Sequence, residues 1–309
     1  MNAVLNAVLP VFALIGVGYL AARRGLLDAA VTDALNRFTV WLALPALLFG
    51  ATARMSWADI DHPGFAFVSA AGIVLTFALA MLLDRRRGKR LADRAIEGLD
   101  AAYGNTGFLG IPLGLALFGN AILPALVIST LLTACLLFGF AILLIEIDLA
   151  ATPDLRRTLL KAFRSLARNP LLVSPVAGGL WALTGLGMPL PVDRFVTLLG
   201  AAAGPCALVT IGLFLHQQRE RADPREVARL VGLKLVAQPL LTLGAALLVP
   251  MPKPWFATAL LLAALPTGTG PFMLAKLYER EAAATSRAIL LSTVLSVATV
   301  SVLVVLLRP

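Results

Sequence analysis

The sequence predicts an all-α integral membrane protein with ten transmembrane helices, and three observations support this fold class. Hydrophobic residues make up 59% of the 309 residues, charged residues make up only 14%, and the mean hydropathy is +0.89. The apolar residues fall into ten runs, each close to the roughly 20 residues that cross a bilayer. Prolines and glycines interrupt two of these runs in similar places. This much apolar surface exceeds what one soluble core could bury, and the short loops leave no room for a soluble domain.

The ten runs are separated by polar or basic breaks. They cover residues 4–22, 35–53, 64–83, 97–119, 123–147, 170–187, 194–215, 230–250, 255–275 and 288–307. Basic clusters follow the odd-numbered runs, at residues 23–24, 85–94, 156–168, 219–229 and 276–280. Because cytoplasmic loops are enriched in Lys and Arg, each odd-numbered run is expected to end in the cytoplasm, with both termini outside. The first run lacks a basic leader, so we expect it to remain in the mature chain.

The loop after the fifth run is predicted to hold an amphipathic helix. Leu155, Leu159, Phe163 and Leu166 share one face, and basic side chains occupy the other. This pattern favours the anionic surface of the lipid bilayer as its partner. The net charge of +9 therefore does not indicate nucleic acid, since the segment has no interleaved aromatics for base stacking. We expect a first five-helix repeat at 1–149, this linker at 150–169 and a second repeat at 170–309.

Prolines inside the apolar runs indicate that the two repeats are copies. Pro45 and Pro112 lie in the second and fourth runs, 112 − 45 = 67 positions apart, and Pro205 and Pro271 lie in the seventh and ninth, 271 − 205 = 66 apart. Because each half has five crossings, the second copy must enter the membrane from the opposite side. Inverted repeats of this kind are typical of secondary transporters. Pro45 and Pro205 are expected to shape the flanking helices.

The centres of the fourth and ninth runs are predicted to be broken, because Gly, Pro, Asn and Thr crowd both of them, and Pro112 and Pro271 are each expected at the first position of a new half-helix. Non-helical backbone at that depth must be buried or face a watery cavity, and the positive ends of half-helices suit an anion. Close helix packing through small residues is the alternative interpretation. The candidate substrate-binding residues are Asn105, Thr106, Gly107, Gly110 and Pro112 in the fourth run, and Thr267, Gly268, Thr269, Gly270 and Pro271 in the ninth.

Asp100 and Lys234 are the ionisable residues predicted to lie deepest in the membrane, where charges usually face a cavity or a partner. Lys234 could attract an organic anion or pair with Asp100 or Glu97; snorkelling to the headgroups is the alternative. Cys135 and Cys206 are expected to be packing residues. With only two histidines and no paired carboxylates inside a crossing, the chain is not expected to be an enzyme or to bind a metal ion.

At these positions the sequence resembles the auxin efflux carrier family, which includes plant exporters of auxin and bacterial transporters of small carboxylic acids. The resemblance covers nearly the whole chain. It rests on NRFTVWLALPALLF at 36–49, GNTGFLGIP at 104–112, RNP at 168–170 and LPTGTGPFMLAKLYERE at 265–281. It implies a scaffold and a transport subdomain, broken helices that cross at the substrate site as in sodium/proton antiporters and bile-acid symporters, and elevator-type transport. It also implies that Asn105 meets the substrate carboxylate and that Lys234 matches a basic residue of the family.

The function expected from the sequence is secondary transport of a mono- or dicarboxylate, such as malate or malonate, across a bacterial inner membrane. The loop between the fifth and sixth runs is short, so the bacterial branch fits better and auxin itself fits less well, while auxin-like acids stay among the candidate substrates. A cation-coupled symporter or antiporter of the same fold is the main alternative, and a channel or a membrane enzyme are others. No cofactor is expected; a coupling proton or sodium ion and a homodimer are left open.

Overall fold

The computed structural model describes residues 8–56, 61–85, 88–149, 167–217 and 222–307, together with residues 160, 163 and 164. Most of the predicted amphipathic segment at 150–169 lies outside these residues. Helices account for nearly all the secondary structure that is described, and no β-strand is present among the described residues; one isolated β-bridge joins Gly104 to Thr267.

The helices of the first half of the chain are α1 (Leu9–Arg23), α2 (Ala29–Phe38), α3 (Leu44–Ala53), α4 (Pro63–Arg85), α5 (Leu91–Ala102), α6 (Ile111–Phe118), α7 (Leu123–Leu131) and α8 (Phe138–Leu149). Those of the second half are α9 (Pro170–Leu183), α10 (Leu190–Ala201), α11 (Ala203–Gln217), α12 (Pro224–Gly232), α13 (Gln238–Leu248), α14 (Lys253–Ala263), α15 (Gly270–Leu277) and α16 (Ala283–Leu306). Several are joined end to end by π-helical or 3₁₀ turns.

Six helical stretches of the described chain are long and apolar enough to cross a membrane: Ala29–Ala53, Pro63–Asp84, Thr106–Leu149, Leu190–Gln217, Pro224–Leu248 and Ala283–Leu306. Two shorter apolar helices, α1 and α9, accompany them.

Side-chain caps fix several helix starts at the residues that the sequence indicates. Asn169 accepts a hydrogen bond from the N–H of Leu171 (3.0 Å), with Pro170 in the first turn of α9. Asp223 caps α12 in the same way, accepting from the N–H of Arg225 (2.9 Å). Each cap satisfies an amide that would otherwise lack a partner at a helix end.

Three prolines follow π-helical turns at the same spacing. The turns Thr39–Ala43, Thr106–Gly110 and Leu233–Ala237 each end two residues before a proline, at positions 45, 112 and 239. A proline cannot donate to the carbonyl four residues earlier and its ring clashes with it. In all three cases that carbonyl lies inside the wider π turn, so the helix continues through the proline instead of breaking.

The chain divides into two compact units, each drawn from both halves of the sequence. The first unit takes in the described parts of Met1–His62, Thr106–Thr130 and Arg168–Gln218, and the second takes in those of Pro63–Asn105, Leu131–Ala167 and Arg219–Pro309.

In the first unit, two glycines allow equivalent close contacts between helices. A Cβ atom on Gly18 of α1 would collide with the carbonyl of Val209 in α11, and one on Gly178 of α9 would collide with the carbonyl of Phe49 in α3. The two contacts are related by one sequence offset: Gly178 lies 160 positions after Gly18, and Val209 lies 160 positions after Phe49 (178 − 18 = 160 and 209 − 49 = 160).

The same offset of 160 positions separates Pro45 from Pro205. Both prolines lie just after an irregularity in their runs: Pro45 follows a π turn, and Pro205 lies in the first turn of α11, after α10 has ended at Ala201. The second unit has its own apolar core. It is formed mainly by side chains of α4, α5, α8 and α15, among them Ile73, Phe77, Ile96, Leu99, Ile142, Ile145 and Leu274.

Candidate functional site: the paired helix interruptions

The fourth and ninth apolar runs are both interrupted. Helix α5 ends at Ala102, Tyr103 is extended (φ −83°, ψ 90°), and helical backbone resumes only at Thr106. Helix α14 ends at Ala263 and helix α15 begins at Gly270. The interrupted stretches 103–105 and 264–269 therefore need hydrogen-bond partners other than their own helices.

The two stretches satisfy each other by a short antiparallel pairing inside the second unit. Gly104 forms a bridge with Thr267. The N–H of Asn105 donates to the carbonyl of Pro266 (2.8 Å), and the N–H of Gly268 donates to the carbonyl of Tyr103 (2.9 Å). This pairing allows extended backbone within an apolar interior, and we call it the crossover.

Glycine is required where the two stretches touch. A Cβ atom on Gly268 would lie 2.9 Å from the ring of Tyr103 and 3.3 Å from the Cα of Asn105. One on Gly104 would lie 3.3 Å from the carbonyl oxygen of Leu262 and 3.7 Å from the Nζ of Lys234. The Tyr103 ring itself packs on Phe138, with 5.9 Å between ring centroids.

Helix α16 holds the crossover from one side through two polar side chains spaced seven residues, or about two turns, apart. Ser292 Oγ accepts from the N–H of Thr267 (3.1 Å), and the hydroxyl of Thr285 donates to Oδ2 of Asp100 (2.7 Å). The hydroxyl of Thr267 in turn donates to the carbonyl of Asp100 (2.9 Å).

The eighth run binds the ends of both interrupted helices. Lys234 donates from Nζ to the carbonyl of Ala263, the last residue of α14 (2.8 Å), and Gln238 donates from Nε2 to the carbonyl of Ala102, the last residue of α5 (3.0 Å). Terminal carbonyls of a helix have no partner within it, and the negative end of the helix dipole attracts a cation. One helix thus provides the missing donors for two others.

Lys234 is fully buried, so its side chain does not extend to the surface of the unit as snorkelling would require. Among the described residues it forms no ion pair with Asp100 or Glu97. The sequence pointed to Lys234 but not to Gln238, Thr285 or Ser292. The spacing of Lys234 and Gln238, four residues apart in an apolar run, is the one signal that could have identified Gln238.

Of the predicted site residues, the structure brings Asn105, Thr267 and Gly268 together at the crossover, all three buried. Thr269, Gly270 and Pro271 follow directly, and Pro271 takes the second position of α15. Thr106, Gly107, Gly110 and Pro112 belong to the first unit and continue the chain after Asn105.

Pro112 does not begin a half-helix. Helical backbone starts six residues earlier, at Thr106, because the π turn Thr106–Gly110 accommodates the proline. In the first unit the Pro112 ring lies near Gly204, where an added Cβ would be 3.6 Å from the Cβ of Pro112.

Four polar residues at or next to the crossover have no polar counterpart in the other half of the sequence. At the offset of 160 positions the counterparts are apolar: Leu260 for Asp100, Leu265 for Asn105, Val74 for Lys234 and Ala78 for Gln238.

A charged cluster lies beyond the crossover in the same unit. Glu97 accepts from both Lys89 and Arg229, and Lys89 also binds Glu226. Arg229 Nη1 lies 2.9 Å from Oδ1 of the fully buried Asp84. Burial acts to lower the pKa of Lys89, but its hydrogen bonds to Glu226 and Glu97 prevail and raise this pKa. The cluster joins α12 to α4, α5 and the α4–α5 loop.

Two further contacts fix the end of α15. The hydroxyl of Tyr278 donates to Oε1 of Glu146 (2.6 Å), and burial together with this bond raises the pKa of Tyr278. Arg280 forms a bidentate pair with Asp93 (2.6 and 2.7 Å), and this pair raises the pKa of Arg280. In the described part of the chain, no group of three His, Cys, Asp or Glu side chains could hold a metal ion.

Comparison of the sequence with known proteins places the chain in a family of transporters. Residues 3–304 match the family described as "Membrane transport protein". A Rhizobium meliloti (strain 1021) protein named "Putative malonate transporter" is 33% identical over 311 residues, covering 100% of this chain and 97% of the relative. "Auxin efflux carrier component 8" of Arabidopsis thaliana is 23% identical and covers 89% of each chain. "Uncharacterized transporter YfdV" of Escherichia coli (strain K12) is 26% identical and covers 75% of this chain and 74% of the relative.

Proposed function

Because the chain belongs to the membrane transport protein family, and its relatives confirm the resemblance to auxin efflux carriers, we propose that it is a secondary transporter of small organic anions. The substrate class is a mono- or dicarboxylate such as malonate or malate, and the membrane is the bacterial inner membrane. The chain is a multi-pass membrane protein with several apolar helices.

The crossover is the observation that carries this proposal. Its pairing of Gly104 with Thr267 leaves two helices beginning directly beyond it, one at Thr106 and one at Gly270. The starts of helices carry partial positive charge and unsatisfied N–H groups, which favour a carboxylate. Asn105 and the neighbouring threonines supply neutral hydrogen-bond donors, and the paired stretches 103–105 and 264–269 themselves contain no Asp or Glu to repel an anion.

Within this proposal, Asn105 and Thr106 donate hydrogen bonds to the substrate carboxylate. Thr267 and Thr269 line the opposite stretch, and Gly107, Gly110, Gly268 and Gly270 let the backbone come close to the ligand. Pro112 and Pro271 fix the helix turns next to the site. Lys234, which donates to the end of α14, adds positive charge to the crossover.

We further propose ten crossings in two inverted five-helix repeats, with both termini outside and elevator-type alternating access. Equivalent glycine contacts support the repeat, because Gly18 with Val209 and Gly178 with Phe49 are related by the same offset as Pro45 and Pro205. The name of the Rhizobium meliloti relative supports a dicarboxylate, and the auxin-related names of others support an organic acid.

Transport by the purified protein in proteoliposomes tests the proposal. Labelled malonate should enter vesicles preloaded with unlabelled malonate, saturate with concentration and be displaced by malate. Malonamide, which has the same shape without negative charge, should not compete. Flux that rises linearly without saturation would indicate a channel, and flux no greater than in empty vesicles with every carboxylate tested would contradict the proposal.

A further inference from the structure

The Asp100 carboxyl is a buried acid without a matching charge. It lies in the last turn of α5, three residues before the extended residue Tyr103, and its side chain is fully buried. Oδ2 accepts the hydroxyl of Thr285 (2.7 Å), whereas Oδ1 has no hydrogen-bond partner among the residues that the structure describes.

Charged side chains face Asp100 from several elements, but none forms an ion pair with it in the described chain. Glu97 lies on the same helix, Glu226 and Arg229 lie on α12, and these three act on Asp100 electrostatically. Arg229 is already bound to Glu97 and close to Asp84 of α4. Other charged groups of the surrounding elements have their own partners or lie elsewhere on their helices: Asp93 bound to Arg280, Arg94 bound to the carbonyl of Met81, Lys234 bound to Ala263, Glu146 bound to Tyr278, Asp148 bound to Arg90, Arg225 at the start of α12, and Arg287 on α16.

The position is unfavourable for a permanent negative charge. It is the C-terminal end of a helix, where the dipole is negative, and a charge without a partner is costly inside a membrane protein. A metal ion would require several oxygen ligands. A proton, in contrast, needs only one buried oxygen without a hydrogen-bond partner, such as Oδ1 of Asp100 within the described chain.

We propose that Asp100 is the binding site of a proton that is transported together with the organic anion. This inference rests on the proposed function, because it names the ion that accompanies the substrate. A proton offsets one negative charge of the substrate and so reduces the electrical work of moving the anion against the membrane potential.

The hydrogen bonds around Asp100 provide the link to the substrate site. Its backbone carbonyl accepts from Thr267, whose own N–H binds Ser292, and its carboxyl binds Thr285 on the same helix as Ser292. Protonation changes which atoms of the carboxyl can accept or donate. It therefore acts on the same helix that holds Thr267 at the crossover. Asp100 lies five positions before Asn105, where the segment proposed to bind the carboxylate begins.

Infrared spectroscopy of the purified protein tests the site without requiring transport. At neutral pH, where exposed carboxyl groups are ionised, the parent should show the carbonyl band of one buried protonated carboxylic acid, and Asp100→Asn should lack this band. Thr285→Val removes the hydrogen bond that Oδ2 of the carboxyl accepts and should shift the band, because the frequency of an acid carbonyl depends on its hydrogen bonds. Ser296→Ala is the control on the same helix; its hydroxyl donates to the carbonyl of Thr293, and the variant should match the parent.

Transport then tests the coupling. Acid outside the vesicles should stimulate malonate uptake severalfold in the parent and in Ser296→Ala, and the stimulation should be lost in Asp100→Asn. A band that persists in Asp100→Asn, or acid stimulation equal to the parent, overturns the proposal. If Asp100→Asn does not fold, an unshifted band in Thr285→Val overturns it. If the parent transports no carboxylate, the proposed function fails while the infrared band still decides whether Asp100 binds a proton.

Discussion

The ring of Tyr103 lies against Gly270 so closely that a Cβ atom at position 270 would be 2.8 Å from the Cζ of the tyrosine. The contact joins the interruption of one run to the first residue of the helix that follows the other. Packing of an aromatic ring on bare backbone, together with the hydrogen bonds of the crossover, determines how the two stretches pass each other.

Gly270→Ala should therefore destabilise the protein by about 1 to 3 kcal/mol, the usual cost of overpacking a well-filled interior. Gly244→Ala is the matched control, because a Cβ there meets nothing within 4 Å and alanine favours the helix. Thermal unfolding in detergent measures both variants. Gly270→Ala should cost less stability in the Tyr103→Ala background than in the parent, because the ring that the new Cβ would meet is absent there. Equal losses of stability in the two backgrounds would exclude the proposed clash.

Asn105→Ala should reduce malonate uptake at least tenfold, corresponding to about 1.4 kcal/mol or more of lost interaction, while the yield of folded protein is maintained. The backbone bond from Asn105 to Pro266 does not involve the side chain, so the crossover itself should persist. Asn120→Ala, at an exposed turn, is the control for the same chemical change. Uptake kinetics like those of the parent would remove Asn105 from the substrate site.

Lys234→Met should lower the stability by about 1 to 3 kcal/mol, because it leaves the terminal carbonyl of Ala263 buried without its donor. Methionine has a similar length, so the loss of packing is small. Lys253→Met, at an exposed helix start, is the control. An increase in the unfolding midpoint of Lys234→Met would show instead that the cost of burying the ammonium exceeds the benefit of its hydrogen bond.

Glu279→Gly should stabilise the end of α15 by about 1 kcal/mol. Glu279 has a φ of 52°, a left-handed conformation that is strained for residues with a Cβ and favourable for glycine. Glu279→Ala keeps the strain and should not stabilise. Gly25→Ala, at a φ of 70° in open space, makes the opposite exchange and should destabilise by a similar amount. Relative to the parent, the unfolding midpoint should rise in Glu279→Gly, should not rise in Glu279→Ala and should fall in Gly25→Ala.

Composition and residue spacing could predict the helical membrane class and both interruptions, because glycine and proline have strong local effects on the backbone. Composition and spacing could also predict that Asn105 and Thr267 lie close together, since both residues lie at the centres of matched runs. The position of Pro112 in its helix was predicted incorrectly. A π turn is an adjustment of the hydrogen bonds that precede a proline, and the residue pattern alone does not distinguish it from a new helix start.

The side chains that hold the crossover could not be predicted in the same way. Gln238, Thr285 and Ser292 act on residues that are distant in sequence, and their partners depend on how the helices pack. An isolated threonine or serine in an apolar run more often donates to the carbonyl of the preceding turn, as Thr242 and Thr293 do here.

Four polar residues at or next to the crossover occur once in the sequence. At the offset of 160 positions, Asp100, Asn105, Lys234 and Gln238 each correspond to an apolar residue in the other half. Under the proposed function, the two sequence halves together supply one set of substrate-binding groups, not two. Each chain should therefore bind its substrate with a stoichiometry of one and without cooperativity between halves.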